Sequence, residues 1–210
     1  RLVEYAKHPG LAAAAPYFES KDIRWLVVIA PAGAFVQLLR LGDEKRGLEY
    51  AVPKKVGGTA GGVATFGTDW PRFVLGYAED QENVRKAERD FPAFTKLMNR
   101  AAEENPGVAD FQAAKAFYAD RKQTEAAWLA AADQKVKDAD RLALSVTTSH
   151  NIPIFDTEAG RAFWRAYRHA QERAKPARGA VACLCCGRLL PPVLTSGSSI
   201  TGPLQGGKTG

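Results

Sequence analysis

The chain has 210 residues and a mass of 22.7 kDa, with 46% hydrophobic and 25% charged residues, the composition of an ordinary soluble globular protein. No apolar run approaches the ~18 residues that a transmembrane helix needs, and no secretory leader opens the chain, so we expect a cytoplasmic protein with no membrane partner. Three cysteines cannot all pair, which argues against a disulfide scaffold.

The net charge of +6 is concentrated in two stretches of the chain. Residues 45–78 carry five basic and two acidic groups, and residues 158–178 carry six basic and two acidic groups. An isoelectric point of about 9.3 with clustered charge indicates a polyanionic partner, most often nucleic acid. From charge alone, the alternative is a solvated basic helix.

The first half of the chain has the patterns of strands and loops. In chain order these patterns predict the end of a helix over residues 1–15, a β-hairpin formed by residues 23–29 and 35–39, an edge strand over residues 48–52, a long glycine-rich loop over residues 54–69 and a further strand over residues 72–77.

The second half of the chain predicts mostly helices. From residue 79 onward, apolar residues recur at steps of three and four, which places one apolar stripe on a helix. Pro92 lies within this stripe and predicts either a kink or two abutting helices. The pattern then predicts two shorter helices that contain Phe111 and Trp128, a strand over residues 142–148, and a helix over residues 158–173 with Phe163, Tyr167 and Ala170 on one face.

This order of elements predicts an α+β fold, with a mixed, mainly antiparallel sheet and a helical insertion at about residues 79–132. We expect an α+β nucleic-acid-binding domain over residues 1–178 and a Cys- and Gly-rich segment over residues 179–210. Because the chain starts at Arg1 and ends abruptly, we also expect it to be part of a longer, multidomain protein.

The glycine-rich loop is the strongest candidate for contact with DNA. Lysines hold phosphates, hydroxyl groups and glycine backbone enter a groove, and an aromatic ring stacks or wedges between bases. The loop residues that predict these contacts are Lys54, Lys55, Thr59, Thr65, Phe66 and Thr68. The alternative is an ordinary surface loop with a basic anchor. A track for the nucleic-acid backbone is predicted on the last helix, from Arg161, Arg165, Arg168 and Arg173.

Residues 202–209 satisfy the P-loop pattern G-x-x-x-x-G-K-[ST], in which backbone amides cradle phosphates and the lysine neutralises them. A P-loop follows a buried strand, but Pro191 and Pro192 disfavour a central strand before this one. A truncated P-loop nucleotide-binding protein is therefore an alternative function. The same loop can instead contact a backbone phosphate of nucleic acid, through Gln205, Gly206, Gly207 and Lys208.

The cysteines form half of a zinc motif. Cys183 and Cys186 have the spacing C-x-x-C, but tetrahedral zinc needs four ligands. Buried structural cysteines are the simpler interpretation, and a zinc-ribbon module completed by further ligands is the alternative. The three histidines lie beside no plausible nucleophile, and the acidic residues are interspersed with lysines. The sequence therefore predicts neither an enzyme nor a resident cofactor.

Five segments of the chain occur in an order known from one protein family. They are residues 23–28, residues 50–56 with the following Gly/Thr loop and residues 73–76, residues 142–147, residues 163–167, and residues 183–187. In this pattern the chain resembles the large subunit of the type I-C CRISPR Cascade complex.

The resemblance implies the N-terminal part of a longer, non-enzymatic prokaryotic subunit. Such a subunit lies near the 5′ handle of the crRNA, recognises the protospacer-adjacent motif in duplex DNA, helps to open the duplex and supports recruitment of the helicase–nuclease. The implied partners are target DNA, crRNA, other Cascade subunits and the helicase–nuclease. RNA pairing supplies the sequence specificity in such complexes, so the protein needs only a short reader and a basic track. A Gly/Gln/Ser loop of the family aligns with residues 202–210, which favours a DNA contact there.

Overall fold

The structure, a computed structural model, describes residues 16–43, 46–55, 62–173, 181–182 and 189–190. Its strands are β1 (Phe18–Ile23), β2 (Trp25–Ile29), β3 (Phe35–Arg40), β4 (Leu48–Pro53), β5 (Thr68–Asp69), β6 (Leu142–Val146), β7 (Val181–Ala182) and β8 (Leu189–Leu190). Its α-helices are α1 (Pro71–Val74), α2 (Gln81–Glu104), α3 (Ala109–Ala119), α4 (Arg121–Asp133) and α5 (Glu158–Arg173), with 3-10 turns at Thr147–Ser149 and Ile154–Asp156.

The central sheet has four strands in the order β3-β2-β6-β5. Strands β2 and β3 form the predicted antiparallel hairpin, β2 and β6 are parallel, and β6 and β5 are antiparallel. Every residue of β2 and β6 is buried, as expected for strands at the centre of a sheet that is covered on both faces. The mixed, mainly antiparallel sheet and the α+β class predicted from the sequence are confirmed.

A separate two-stranded ribbon pairs β1 with β4 in antiparallel register, from Phe18 opposite Pro53 to Ile23 opposite Leu48. The strand at residues 48–52 was expected, and its terminal proline is tolerated because this ribbon has no third strand. Strand β1 carries a polar run between its two buried ends, so it lacks the alternation that predicts a strand.

The helical insertion lies between β5 and β6 and comprises α1 to α4. Helix α2 begins after Asp80, whose carboxylate accepts a hydrogen bond from the amide of Glu82 at 2.8 Å. Of the two alternatives predicted at Pro92, two abutting helices are wrong, because α2 continues through this residue to Glu104. Buried side chains on both sides of Pro92 pack into the core and stabilise one continuous helix.

The strand expected at residues 72–77 is also wrong. Pro71 starts the helical turn α1, where its missing N–H removes no hydrogen bond, and Gly76 then reverses the chain at φ +65°. The predicted loop is shorter than expected as well, because residues 65–69 are buried and its last two residues form β5.

Helix α5 has the predicted bounds, but a different residue anchors it. Trp164 is fully buried and donates a hydrogen bond from Nε1 to the carbonyl oxygen of Tyr17 at 2.9 Å. Phe163 is buried and Tyr167 is half-buried, as expected for an apolar face, whereas Ala170 is exposed. The predicted domain boundary after residue 178 lies outside the described residues and stays a prediction.

Candidate nucleic-acid interface

The two sides of the glycine-rich loop are joined by the buried carboxylate of Asp69. Its oxygens accept hydrogen bonds from Nζ of Lys55 at 3.1 Å, from the amide of Thr65 at 3.1 Å and from the amide of Trp70 at 3.0 Å. Lys55 precedes the undescribed residues 56–61 and Thr65 follows them, so one carboxylate holds both sides of the loop. The Asp69 side chain has no exposed surface and the Lys55 side chain is only 16% exposed.

A second buried carboxylate, Asp90 on α2, fixes the far side of the loop. It accepts hydrogen bonds from the amide of Gly62 at 2.9 Å, from Nε of Arg72 at 2.8 Å and from Nε of Arg89 at 2.9 Å. Gly62 adopts φ +79°, a conformation that favours glycine. Burial alone raises the pKa of Asp90, but the hydrogen bonds from Arg89, Arg72 and Gly62 outweigh it and hold the pKa below its ordinary value.

Protonation of Asp90 is expected to weaken the fold at acidic pH. Because the pKa of Asp90 is lower in the folded chain, its charge contributes stability that is fully present above the ordinary aspartate pKa of about 3.9 and is lost as the pH falls through the lowered folded value. Urea unfolding across this acidic range measures the loss. The free energy of unfolding should fall more steeply with decreasing pH in the wild type than in Asp90→Asn, and equal slopes would contradict this assignment.

Three cations surround the indole ring of Trp70, which directly follows β5. Nζ of Lys55 lies 4.7 Å from the ring centroid, and Cζ of Arg72 and Cζ of Arg141 lie at 4.5 Å and 5.8 Å. Arg141 comes from a distant part of the sequence, but Asp69 pairs with Leu142 in the sheet and this register brings residue 141 beside residue 70. We define the Trp70 cluster as Lys55, Trp70, Arg72, Arg89 and Arg141 with the carboxylates of Asp69 and Asp90.

The electrostatics of the Trp70 cluster favour an anion. Four cations share two carboxylates, and the guanidinium of Arg141 forms no ion pair within the described part of the chain. Burial lowers the pKa of Lys55, the charge of Asp69 raises it, and the charges of Arg141 and Arg72 lower it further. Burial is the main cause of the lowered pKa, and the attraction for a phosphate rests instead on the excess of cations over carboxylates in the cluster.

A polar cleft of about 360 Å³ opens beside Trp70 and extends the positive surface. Its charged lining comprises Lys21, Arg24, Arg46, Arg141, Asp22 and Asp140. Asp22 lies 3.5 Å from Arg46 and Asp140 lies 3.7 Å from Arg24, so ion pairs order part of this lining while cations remain in excess. The cleft and the Trp70 cluster share Trp70 and Arg141 and form one continuous candidate interface.

Several of the predicted DNA contacts lie inside the protein. The ring of Phe66 is fully buried against Phe111 and Phe163, with centroid distances of 5.4 Å and 4.7 Å. Thr65 is buried as well, and the hydroxyl of buried Thr68 donates to the carbonyl oxygen of Leu142 at 2.7 Å. A base cannot stack on a ring without exposed surface, so these three side chains serve the core in this structure.

The two loop lysines differ from each other. Lys55 is engaged with Asp69, whereas the half-buried side chain of Lys54 forms no ion pair or hydrogen bond among the described residues. The backbone of Lys54 is fixed, because its amide donates to the carbonyl oxygen of Tyr17 at 2.7 Å. Of the two, Lys54 is therefore the lysine available to a phosphate.

The arginines predicted as a track on α5 are mostly engaged within the protein. Arg161 pairs with Asp156 at 2.5 Å. Arg168 donates to the carbonyl oxygen of Lys54 at 3.0 Å and lies 3.7 Å from the carboxylate of Glu172. Only Arg165 is exposed among these three, and the side chain of Arg173 is outside the described residues.

The remaining predicted site residues also lie outside the described residues. They are Thr59 in the glycine-rich loop, the loop residues Gln205, Gly206, Gly207 and Lys208, and the cysteines Cys183 and Cys186. Their predicted contacts, including the P-loop and zinc alternatives, stay predictions.

Sequence reasoning missed most of the cations that the structure brings together. Arg72, Arg89 and Arg141 are far apart in the chain, and helices separate Arg89 from Arg141. The only local signal was Trp70, an aromatic residue next to an acidic residue at the end of a basic loop. The pairing of β5 with β6 brings Arg141 beside Trp70, Asp90 on α2 gathers Arg72 and Arg89, and neither arrangement has a signature in the sequence.

Membrane-spanning helices and metal-binding clusters are both absent from the described ranges. No helix there is both long and apolar enough to cross a membrane. No group of three or more His, Cys, Asp or Glu side chains there is placed to hold a metal ion.

Comparison with known proteins gives one family. The family model described as CRISPR-associated protein (Cas_Csd1) matches residues 2–209, nearly the whole chain. A search of curated proteins found no match to this chain. The family match agrees with the sequence resemblance as far as a CRISPR-associated family.

Proposed function

We propose that this chain, which belongs to the Cas_Csd1 family of CRISPR-associated proteins, is a non-catalytic subunit of an RNA-guided surveillance complex of the Cascade type. In this role it recognises the protospacer-adjacent motif in duplex DNA, helps to open the duplex and supports recruitment of the helicase–nuclease. Its partners are then the target DNA, the crRNA, other Cascade subunits and the helicase–nuclease. The type I-C subtype and the place of this chain as the N-terminal part of the subunit belong to the same proposal.

The observation that carries the proposal is the Trp70 cluster at the base of the glycine-rich loop. A subunit that reads a short motif needs contacts to the DNA backbone that hold the duplex and a segment with small side chains that can approach the bases. Arg141 and Lys54 offer cationic side chains without an ion pair in the described structure, one on each side of the loop. The loop itself, including Thr59, is then presented to the groove, and Arg165 and residues 205–208 are proposed as further contacts along the DNA.

The test uses the complex purified through a tag on the full-length subunit that contains this chain. Short RNAs of uniform repeat–spacer form and companion subunits should copurify. The double variant Lys54→Ala with Arg141→Ala should weaken binding of a motif-containing duplex at every salt concentration. The slope of log affinity against log salt should fall by roughly 2, because each lost phosphate contact releases about one counterion fewer.

A matched control removes the same charge elsewhere. Arg121 and Lys122 are exposed on α4 and lie outside the Trp70 cluster, and Arg121→Ala with Lys122→Ala should leave the salt slope close to that of the wild type. An equal loss of DNA affinity and of salt slope in both double variants would indicate a general effect of net charge. Unchanged affinity and slope in the Lys54 and Arg141 variant would contradict the proposed interface.

A further inference from the structure

Arg72 and Arg89 are held by the same carboxylate, and we propose that they form a binding site for one backbone phosphate of the DNA, with Asp90 as the positioning residue. This inference rests on the proposed function. It names the ligand group and the geometry of one contact within the candidate interface, which the family match does not describe.

The pairing leaves an uncompensated positive charge. Nε of Arg72 donates to one oxygen of Asp90 and Nε of Arg89 donates to the other, while the amide of Gly62 supplies a third donor. One carboxylate neutralises one guanidinium, so the pair of arginines keeps a net charge of one unit.

The terminal amino groups of both arginines remain available. Each guanidinium uses only its Nε on Asp90, and its two terminal nitrogens have no hydrogen-bond acceptor in the part of the chain that the structure describes. The Arg89 side chain is 56% exposed and that of Arg72 is 18% exposed, so an anion can approach from solvent. Planar guanidinium groups bind phosphate through two parallel N–H···O bonds, which suits these free nitrogens.

The site is rigid before any ligand arrives. Asp90 has no exposed surface and lies on the long helix α2. The guanidinium of Arg72 also lies 4.5 Å from the ring of Trp70 and 5.3 Å from that of Phe73, which fixes its plane. Binding of a phosphate here costs little side-chain entropy, because Asp90 already orders both arginines.

Arg89→Lys tests the geometry while the charge is kept. Lysine lacks Nε–H and the planar fork, so it cannot both bond Asp90 and hold a phosphate by two bonds. We expect affinity of the assembled complex for a motif-containing duplex to fall by about five- to tenfold, with thermal stability close to that of the wild type because Arg89 is exposed. The control is Arg121→Lys on α4, which should bind like the wild type.

Asp90→Asn gives a second test, because a merely basic patch and a site positioned by Asp90 predict opposite changes in DNA affinity. Removing one negative charge from a merely basic patch would tighten DNA binding. If Asp90 positions both arginines, the substitution should instead weaken DNA binding by roughly fivefold. Asparagine has a single acceptor oxygen in place of two, so the two guanidiniums no longer share one acceptor group. Thermal unfolding is recorded alongside, and if this variant fails to fold the lysine variant alone decides.

The outcomes separate this inference from the function on which it rests. A wild-type complex that binds motif-containing DNA no better than a complex without this subunit overturns both. A wild-type complex that binds DNA while Arg89→Lys binds equally well overturns only the phosphate site. Weaker binding by Arg89→Lys, with Arg121→Lys unchanged, supports it.

Discussion

Phe66→Ala is expected to lower the free energy of unfolding by about 3–5 kcal/mol, the usual cost of removing a fully buried aromatic ring. The ring of Phe66 packs edge-on against Phe111 and tilted against Phe163, so its removal leaves a cavity between the end of the loop, α3 and α5. Urea denaturation followed by far-UV circular dichroism measures the loss.

The matched control is Phe66→Leu, which keeps most of the buried apolar volume and should cost clearly less. DNA affinity of the folded fraction of either variant should equal that of the wild type, because the ring lies in the core. Full stability together with lost DNA affinity would mean that Phe66 acts as a wedge between bases, as its position in a glycine-rich loop had suggested.

Asp69→Asn is expected to destabilise the chain by about 3–5 kcal/mol, as breaking a buried ion pair usually does. The substitution leaves the largely buried ammonium group of Lys55 without its counter-charge. It also disturbs the bonds from the amides of Thr65 and Trp70, which hold the end of the loop. The free energy of unfolding in urea at neutral pH checks this value.

A double-mutant cycle separates the ion pair from the other bonds of Asp69. Lys55→Met removes the ammonium group, which lies over the rings of Trp70 and Phe73, and keeps an unbranched side chain. Asp69→Asn should lower the free energy of unfolding by less in the Lys55→Met variant than in the wild type. The difference between the two values measures the coupling between the two charges. If the losses in free energy of unfolding from the two single variants simply add in the double variant, Asp69 acts through the backbone amides alone.

Local pattern was enough to predict much of the fold. The hairpin of β2 and β3 has turn residues between two apolar runs of strand length, and α3, α4 and α5 have helical periodicity. The errors occurred where a local pattern was weak or where long-range packing overrode it. Strand β1 is polar in its middle, α1 has the composition of a strand, and α2 tolerates a proline because its buried face is stabilised on both sides.

The site at the glycine-rich loop stays a prediction. Its glycines and paired lysines suggested a DNA contact, and a charge count cannot show that Lys55 is already paired with Asp69. Residues 65–68 contain one aromatic residue among small residues, a composition that does not predict burial, and long-range packing with β6, α3 and α5 places them in the core. Arg141 joins the site through the same pairing, which connects residues far apart in the chain.

The parallel pairing of β2 with β6 also constrains how the protein is made. Trp25 lies beside Leu142, so the two central strands are separated by more than half of the chain, and β2 emerges from the ribosome long before its partner. Helices α2 to α4 are synthesised in that interval and form mainly through local contacts. Until β6 appears, the apolar strand β2 has one unpaired edge, the condition in which nascent strands associate with other chains. The emergence of residues 142–146 from the ribosome is thus the event that allows the centre of this sheet to close.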